Sequence, residues 1–329
     1  MTLAVTRLGS GGLITTYQCQ SACPHCLYRG AAGREPDYID QEMARACFAK
    51  ALECGATSMH VGGGEPLADP LGLAGVLAAA AETGMPIAYV ETSGSWYDTP
   101  DEARELLLEL RGMGLASLLV SISPMHNACI PLCKTLGVIE AARAAGIAVL
   151  PWQEHFLPDL QAFDPETTHS FAEYLEHFGP GYPASILERT WIHLGGRAFD
   201  LFAPVLGRRS AEDILAAASP DCRPELTDAS HFHMDLYGDY VPGLCSGLAL
   251  RVSDLGAPLD PERYPILSTL AETGIRGFYE YAVGLEDYAA RPEGYVNKCE
   301  LCQDMRRHLS ERGWFESTEL APPDFYASL

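Results

Sequence analysis

A chain of 329 residues with 44 acidic and 22 basic side chains carries a formal charge of −22, and 47% of its residues are hydrophobic. That composition supports a sizeable core and excludes a disordered or collagen-like chain; so large an excess of carboxylates also argues against nucleic acid and anionic membranes as partners. The length suits two domains, or one barrel with an appendage.

Short strand-like runs at 12–17, 57–61, 87–92, 117–123, 147–151 and 186–194 alternate with helical stretches. One helix has Asp40 as its N-cap and stops at Cys54-Gly55. The next follows Pro70 and ends near Gly84. A third starts at Thr99-Pro100, with Glu102 completing a capping box. Further helices end at Gly146 and span about 165–178. Six β-then-α units predict an α/β fold, a parallel sheet curling into a partial (βα)6 TIM-type barrel over residues 1–205. The rhythm changes after 205, and residues 206–329 are expected to form a small α+β domain. Within it, HFHMDLYGDYVPGLC (231–245) predicts a hairpin turning at Tyr237-Gly238-Asp239, with His231 and His233 as hairpin structure. The longest apolar run, 73–81, is too short to span a membrane. The first residues lack a secretion signal, so a cytoplasmic location is expected.

The 11 cysteines are an odd number, which favours metal, catalysis or burial over a disulfide framework. Cys19, Cys23 and Cys26 fall in YQCQSACPHCLY, just beyond the first strand. Three thiolates at this spacing suit a loop around one face of a [4Fe–4S] cluster, leaving the fourth iron open. Zinc is the alternative, although structural zinc takes four protein ligands. Cys222, Cys245, Cys299 and Cys302 form a second set that can ligate a cluster completely, or a zinc ion. Cys47 and Cys54 share an apolar helical stripe and read as core. Cys129 and Cys133 lie beyond the fourth strand, in PMHNACIPLCK.

CxxxCPHC after the first strand of a βα array resembles the signature of the radical S-adenosylmethionine (radical SAM) enzymes. The resemblance implies that the open iron chelates the methionyl group, and that reductive cleavage yields a 5′-deoxyadenosyl radical. It places His25 against the adenine. The run Val61-Gly62-Gly63-Gly64-Glu65-Pro66 is similar to the family's GGEP motif, so Gly63, Gly64, Glu65 and Pro66 are expected at the methionyl amino group. Glu91-Thr92-Ser93-Gly94 is similar to the stretch lining the cofactor pocket, with Ser replacing Asn. Ser121 and Ser123 are candidates for ribose or carboxylate contacts.

The second cysteine set resembles the twitch auxiliary-cluster domain of 2-deoxy-scyllo-inosamine dehydrogenase-type enzymes, and lacks the longer seven-cysteine SPASM pattern. The implied activity is hydrogen abstraction from a small polar metabolite, followed by a two-electron oxidation. The auxiliary cluster would accept an electron, and flavodoxin or ferredoxin would supply the reductant. Candidate catalytic residues are Arg197, His126, Cys129 and Glu154, the histidine and glutamate as proton-transfer groups near the C-terminal ends of strands. A hydrogen-donating Cys129 or Cys133 would instead make an epimerase. Peptide modification and non-catalytic electron carriage are the rival functions.

Overall fold

The computed structural model describes residues 2–314 and 317–329. Local sequence sets the first elements. Asp40 accepts the amide of Met43 at 2.7 Å and opens α1 (Gln41–Glu53). Asp69 caps α2 (Pro70–Thr83), which stops at left-handed Gly84. The Thr99–Glu102 capping box starts α3 (Pro100–Gly112). The helices α4 (Pro124–Asn127), α5 (Leu132–Ala144), α6 (Leu157–Leu160), α7 (Phe171–Phe178), α8 (Tyr182–Arg189) and α9 (Ala198–Leu206) follow. The remainder is α10 (Ala211–Ala217), α11 (Arg223–Leu226), α12 (Pro265–Glu286), α13 (Lys298–Glu311) and α14 (Pro323–Ala327). No helix among the described residues is long and apolar enough to cross a membrane.

Eight strands among the described residues form one sheet in the order β5-β4-β3-β2-β1-β6-β7-β8. They are β1 (Ser10–Ile14), β2 (Met59–Gly62), β3 (Ile87–Thr92), β4 (Ser117–Ser121), β5 (Ala148–Trp152), β6 (His231–Asp235), β7 (Asp239–Val241) and β8 (Leu250–Arg251). Every pair from β5 across to β6 is parallel, and β7 and β8 add antiparallel. The fold is α/β, with one correction to the expected series. Residues 186–194 are not a strand: Tyr182 and Ile186, four residues apart and both buried, make them the end of α8 and an irregular segment. The sixth parallel strand is β6, the first arm of the predicted hairpin, and it lies on the far side of β1.

Alternation along the strands divides the sheet into two faces. Leu13, Met59, Val61, Val90, Leu118, Val120, Phe232 and Met234 are each at most 1% exposed and belong to the core shared with the helices. Each such burial contributes about 1.5–3 kcal/mol. Cys47 and Cys54 join this core, as their stripe predicted. The opposite face carries Gly12, His60, Gly62, Glu91, Ser121 and His233.

A buried carboxylate ties the C-terminal segment to α12. Glu319 accepts the Ile266 and Leu267 amides at 2.9 and 2.6 Å, satisfying donors that the first turn leaves unpaired. Burial nevertheless pushes its pKa up to about 7. A carboxyl whose folded pKa lies above its unfolded value favours folding most when protonated, so its contribution declines as pH rises from about 4.5 to 7. The decline is on the order of 3 kcal/mol. Urea titrations at pH 5 and pH 8 are expected to show a smaller pH difference for Glu319→Gln than for the parent chain; equal differences would contradict this assignment.

Candidate functional site

The loop after β1 is pressed against the turn after β2. Gly64 donates its amide to Thr16 O at 2.7 Å, and Glu65 donates to Gln18 O at 3.2 Å. A Cβ at Gly64 would stand 1.9 Å from the Gln18 carbonyl oxygen, so only glycine permits this approach. Within the loop, Ser21 N–H donates to Cys19 Sγ at 3.4 Å and Gly30 N–H to Cys26 Sγ at 3.3 Å. Amide donors at sulfur stabilise thiolate ligands and tune any cluster they hold.

Cys19, Cys23 and Cys26 line a cavity of about 310 Å³, together with His25, Gly63, Gly64, Glu91, Ser121 and His126. Nine expected site residues thus meet at the C-terminal ends of the first four strands. Burial lowers the pKa of His25 to about 4, helped by Arg197, and burial together with the neighbouring His25 holds that of His126 well below the usual imidazole range. Both imidazoles are therefore neutral near pH 7, and their rings meet edge to face at 4.7 Å. Burial raises Glu91 to about 7 and Cys19 to about 12. Metal binding at such a thiol must release its proton.

Other expected residues stand elsewhere. Glu65 is fully buried outside the cavity lining, where it accepts from Thr92 Oγ1 at 2.9 Å, Ser93 N at 2.9 Å and Ser93 Oγ at 2.7 Å. It fixes the β3 turn that presents Ser93 to the cavity. Pro66 opens a short turn behind Glu65 and takes the Tyr38 hydroxyl on its carbonyl. Ser123 caps α4, and its hydroxyl lies 2.7 Å from His126 Nδ1, so it orients that ring from outside the lining. Glu154 is exposed and away from the cavity; its neighbour Gln153, with φ of +64°, lines the wall instead.

Arg197 does not present a free guanidinium to a substrate. It donates to the backbone oxygens of Gly30, Arg29 and Cys23 at 3.0, 3.1 and 3.4 Å, and its amide donates to Cys26 O. It is the clamp of the cysteine loop. Arg197→Ala is expected to weaken loop order by about 1.5–3 kcal/mol, as hydrogen bonds from a charged donor do. Iron should then pass faster to a chelator, with Arg197→Lys restoring only part because an ammonium lacks the planar fork. Parent-like iron release in Arg197→Ala would refute the clamp.

Cys129 touches the same loop: its thiol is hydrogen-bonded with that of Cys23, and this contact, opposed by burial, lowers the Cys129 pKa to about 6. Neither Cys129 nor Cys133 is in the cavity lining. Strand periodicity did not reveal Trp152, Trp191 and His193, which complete the wall. Trp152 and Trp191 are 50% and 73% exposed, a degree that marks large aromatics at a cavity rim.

The second cysteine set also converges. Cys222, Cys245, Cys299 and Cys302 line a separate cavity of about 130 Å³ between α11, the segment after β7 and the start of α13. Burial pushes Cys222 up to about 12 and Cys299 to about 11. Buried Arg306 and Lys298, whose Nζ lies 3.8 Å from Cys222 Sγ, supply compensating positive charge. His193 lines both cavities.

No protein-family model matches the chain, and no curated protein matches it. Among solved structures, native anSMEcpe with bound AdoMet is similar at 13% identity and a TM-score of 0.43, covering 92% of this chain and 97% of that one. Streptococcus suis SuiB bound to precursor peptide SuiA is similar at 13% identity and a TM-score of 0.37, over 91% of this chain and 76% of its own. HydG, a maturase of the [FeFe]-hydrogenase, has 17% identity and a TM-score of 0.32, over 43% of this chain and 34% of its own. Superpositions this loose decide neither fold nor activity.

Proposed function

We propose that the chain is a radical SAM enzyme, built on a partial barrel with an auxiliary-cluster segment, that oxidises a small polar metabolite. The observation that carries this reading is the meeting of the CxxxCPHC thiols, the Gly63-Gly64 turn, Ser93, Glu91 and Ser121 around one cavity. The donor chemistry fits a [4Fe–4S] cluster: three thiols on one loop, two of them already accepting amide hydrogen bonds. A reduced cluster with S-adenosylmethionine supplies the 5′-deoxyadenosyl radical that abstracts a hydrogen atom.

The chain's own residues do the rest. Arg197 and the Gly64 contact hold the cysteine loop in place. Ser93 and Ser121 offer hydroxyls to a polar ligand. Neutral His126, oriented by Ser123, and His193 are the imidazoles placed to take a proton from a substrate hydroxyl. Trp152 and Trp191 give the mouth an apolar rim.

The four thiols of the second cavity fit an auxiliary cluster as electron acceptor. An external donor of the flavodoxin or ferredoxin kind would supply the first electron, in the cytoplasm.

Anaerobically reconstituted protein is expected to hold about eight irons per chain. With reductant and S-adenosylmethionine it should release 5′-deoxyadenosine, carrying deuterium from a labelled substrate. About four irons with one zinc would remove the electron relay. Absence of 5′-deoxyadenosine from iron-replete protein, with candidate substrates present, would remove the enzyme reading.

A further inference from the structure

On the sheet face turned away from the helices, His60 of β2, Gly12 of β1 and His233 of β6 lie side by side in one register row. Gly12 has no side chain, so the two imidazoles meet over it. A Cβ there would stand 2.2 Å from His60 Nε2 and 2.8 Å from His233 Cδ2. His231, two residues before His233 and hence on the same face, stacks on His60 with centroids 5.3 Å apart and planes 6° apart. From β3, Glu91 brings Oε1 to 3.6 Å from His60 Nε2. One ligand atom from each histidine lies within 4.8 Å of the others.

Of the three, His60 is buried, His233 half-buried and His231 exposed. His60 is 3% exposed, and its Nε2 has no hydrogen-bond partner. The Tyr28 hydroxyl lies 2.9 Å from Nδ1 of His233, leaving the other ring nitrogen of that residue for the cluster. Holding one nitrogen of an imidazole with a neighbouring group while the other faces its fellows is the arrangement that orients metal-bound histidines.

We propose that His60, His231, His233 and Glu91 bind a divalent transition-metal ion, with zinc the closest match. Three imidazole nitrogens and a carboxylate oxygen make a tetrahedral N/O set, and no sulfur is involved. Zinc–nitrogen bonds of about 2.0–2.1 Å would bring the ligand atoms to about 3.4 Å of one another, so the three histidine nitrogens, now within 4.8 Å, must close and Glu91 must turn in from its place beside His60. Four protein ligands close the shell. The ion would therefore join β6 to β2 and β3 over the gap at Gly12, and would fix Glu91, which also lines the 310 Å³ cavity. The site shares Glu91 with the cysteine cavity, but none of its ligands is a cysteine, so zinc content and iron content test the two readings separately.

Full-length protein, reconstituted anaerobically with iron and sulfide and then incubated with zinc alone, is expected to retain about one zinc per chain after desalting. X-ray absorption at the zinc edge should show nitrogen and oxygen near 2.0 Å and no sulfur near 2.3 Å. His60→Ala and His233→Ala should lose the zinc and keep their iron. Absence of retained zinc, a sulfur shell around it, or undiminished zinc in both variants would overturn the proposal. Should both variants fail to fold, the zinc content and edge spectrum of the unaltered protein decide it.

Discussion

Cys19→Ala and Cys26→Ala are each expected to reduce 5′-deoxyadenosine formation to the level of protein-free controls. Iron should fall from about eight to about four per chain, because the second cavity keeps its own four thiols. Cys23→Ala should behave differently. The Cys129 thiol is hydrogen-bonded to that of Cys23, so it stands beside the vacated ligand position and can retain part of the iron. Removing both in Cys23→Ala/Cys129→Ala should bring iron down to the Cys19→Ala level. Full 5′-deoxyadenosine formation by Cys19→Ala would show that the loop chemistry is misassigned, and equal iron in Cys23→Ala and the double variant would remove Cys129 as a substitute ligand.

The second large effect separates radical formation from product formation. Cys245→Ala and Cys299→Ala are expected to lose about four irons and to keep reductive cleavage of S-adenosylmethionine. Oxidised product should disappear in single-turnover assays, since the substrate radical has lost its nearby electron acceptor. Product formation at the parent rate by iron-depleted Cys299→Ala would end the relay reading and leave the second site a structural one. Removing one thiol also leaves Arg306, buried among these cysteines, with less negative charge to face, so both variants should unfold at lower temperature.

Much of this architecture is written in local patterns. The caps at Asp40 and Thr99, the left-handed stop at Gly84 and the apolar alternation of β3 depend only on neighbouring residues. The first cysteine set is legible for the same reason, because spacing within a loop is a local property, whereas the second draws on three elements from Cys222 to Cys302. What was not legible is nonlocal or made by backbone. Ile186, Ile192 and Leu194 look strand-like in isolation, yet Tyr182 and Ile186 bury one side of a helix. Nothing near residue 231 announces a parallel pairing with β1. Arg197 is expected as a catalytic residue, yet its targets are carbonyl oxygens, which every residue has and no motif displays. Glu65 was expected to face the cofactor. Its actual partners, Thr92 and Ser93, lie on a different strand and turn. His60 is a lone histidine in Met59-His60-Val61-Gly62, and only strand order brings His231 and His233 to it.

The pairing of β1 with β6 means that the two cysteine cavities are not carried by separately hinged lobes. Both hang from one hydrogen-bonded board, whose rungs run from Gly11↔Met59 on one side of β1 to Ser10↔His231 on the other. If the proposed relay operates, an electron crossing between the cavities would travel a distance set by strand register, with His193 in the dividing wall. A chain cut after residue 205 would lose that setting. It would also leave β1 with a bare edge, the kind of unpaired backbone that recruits other strands and aggregates.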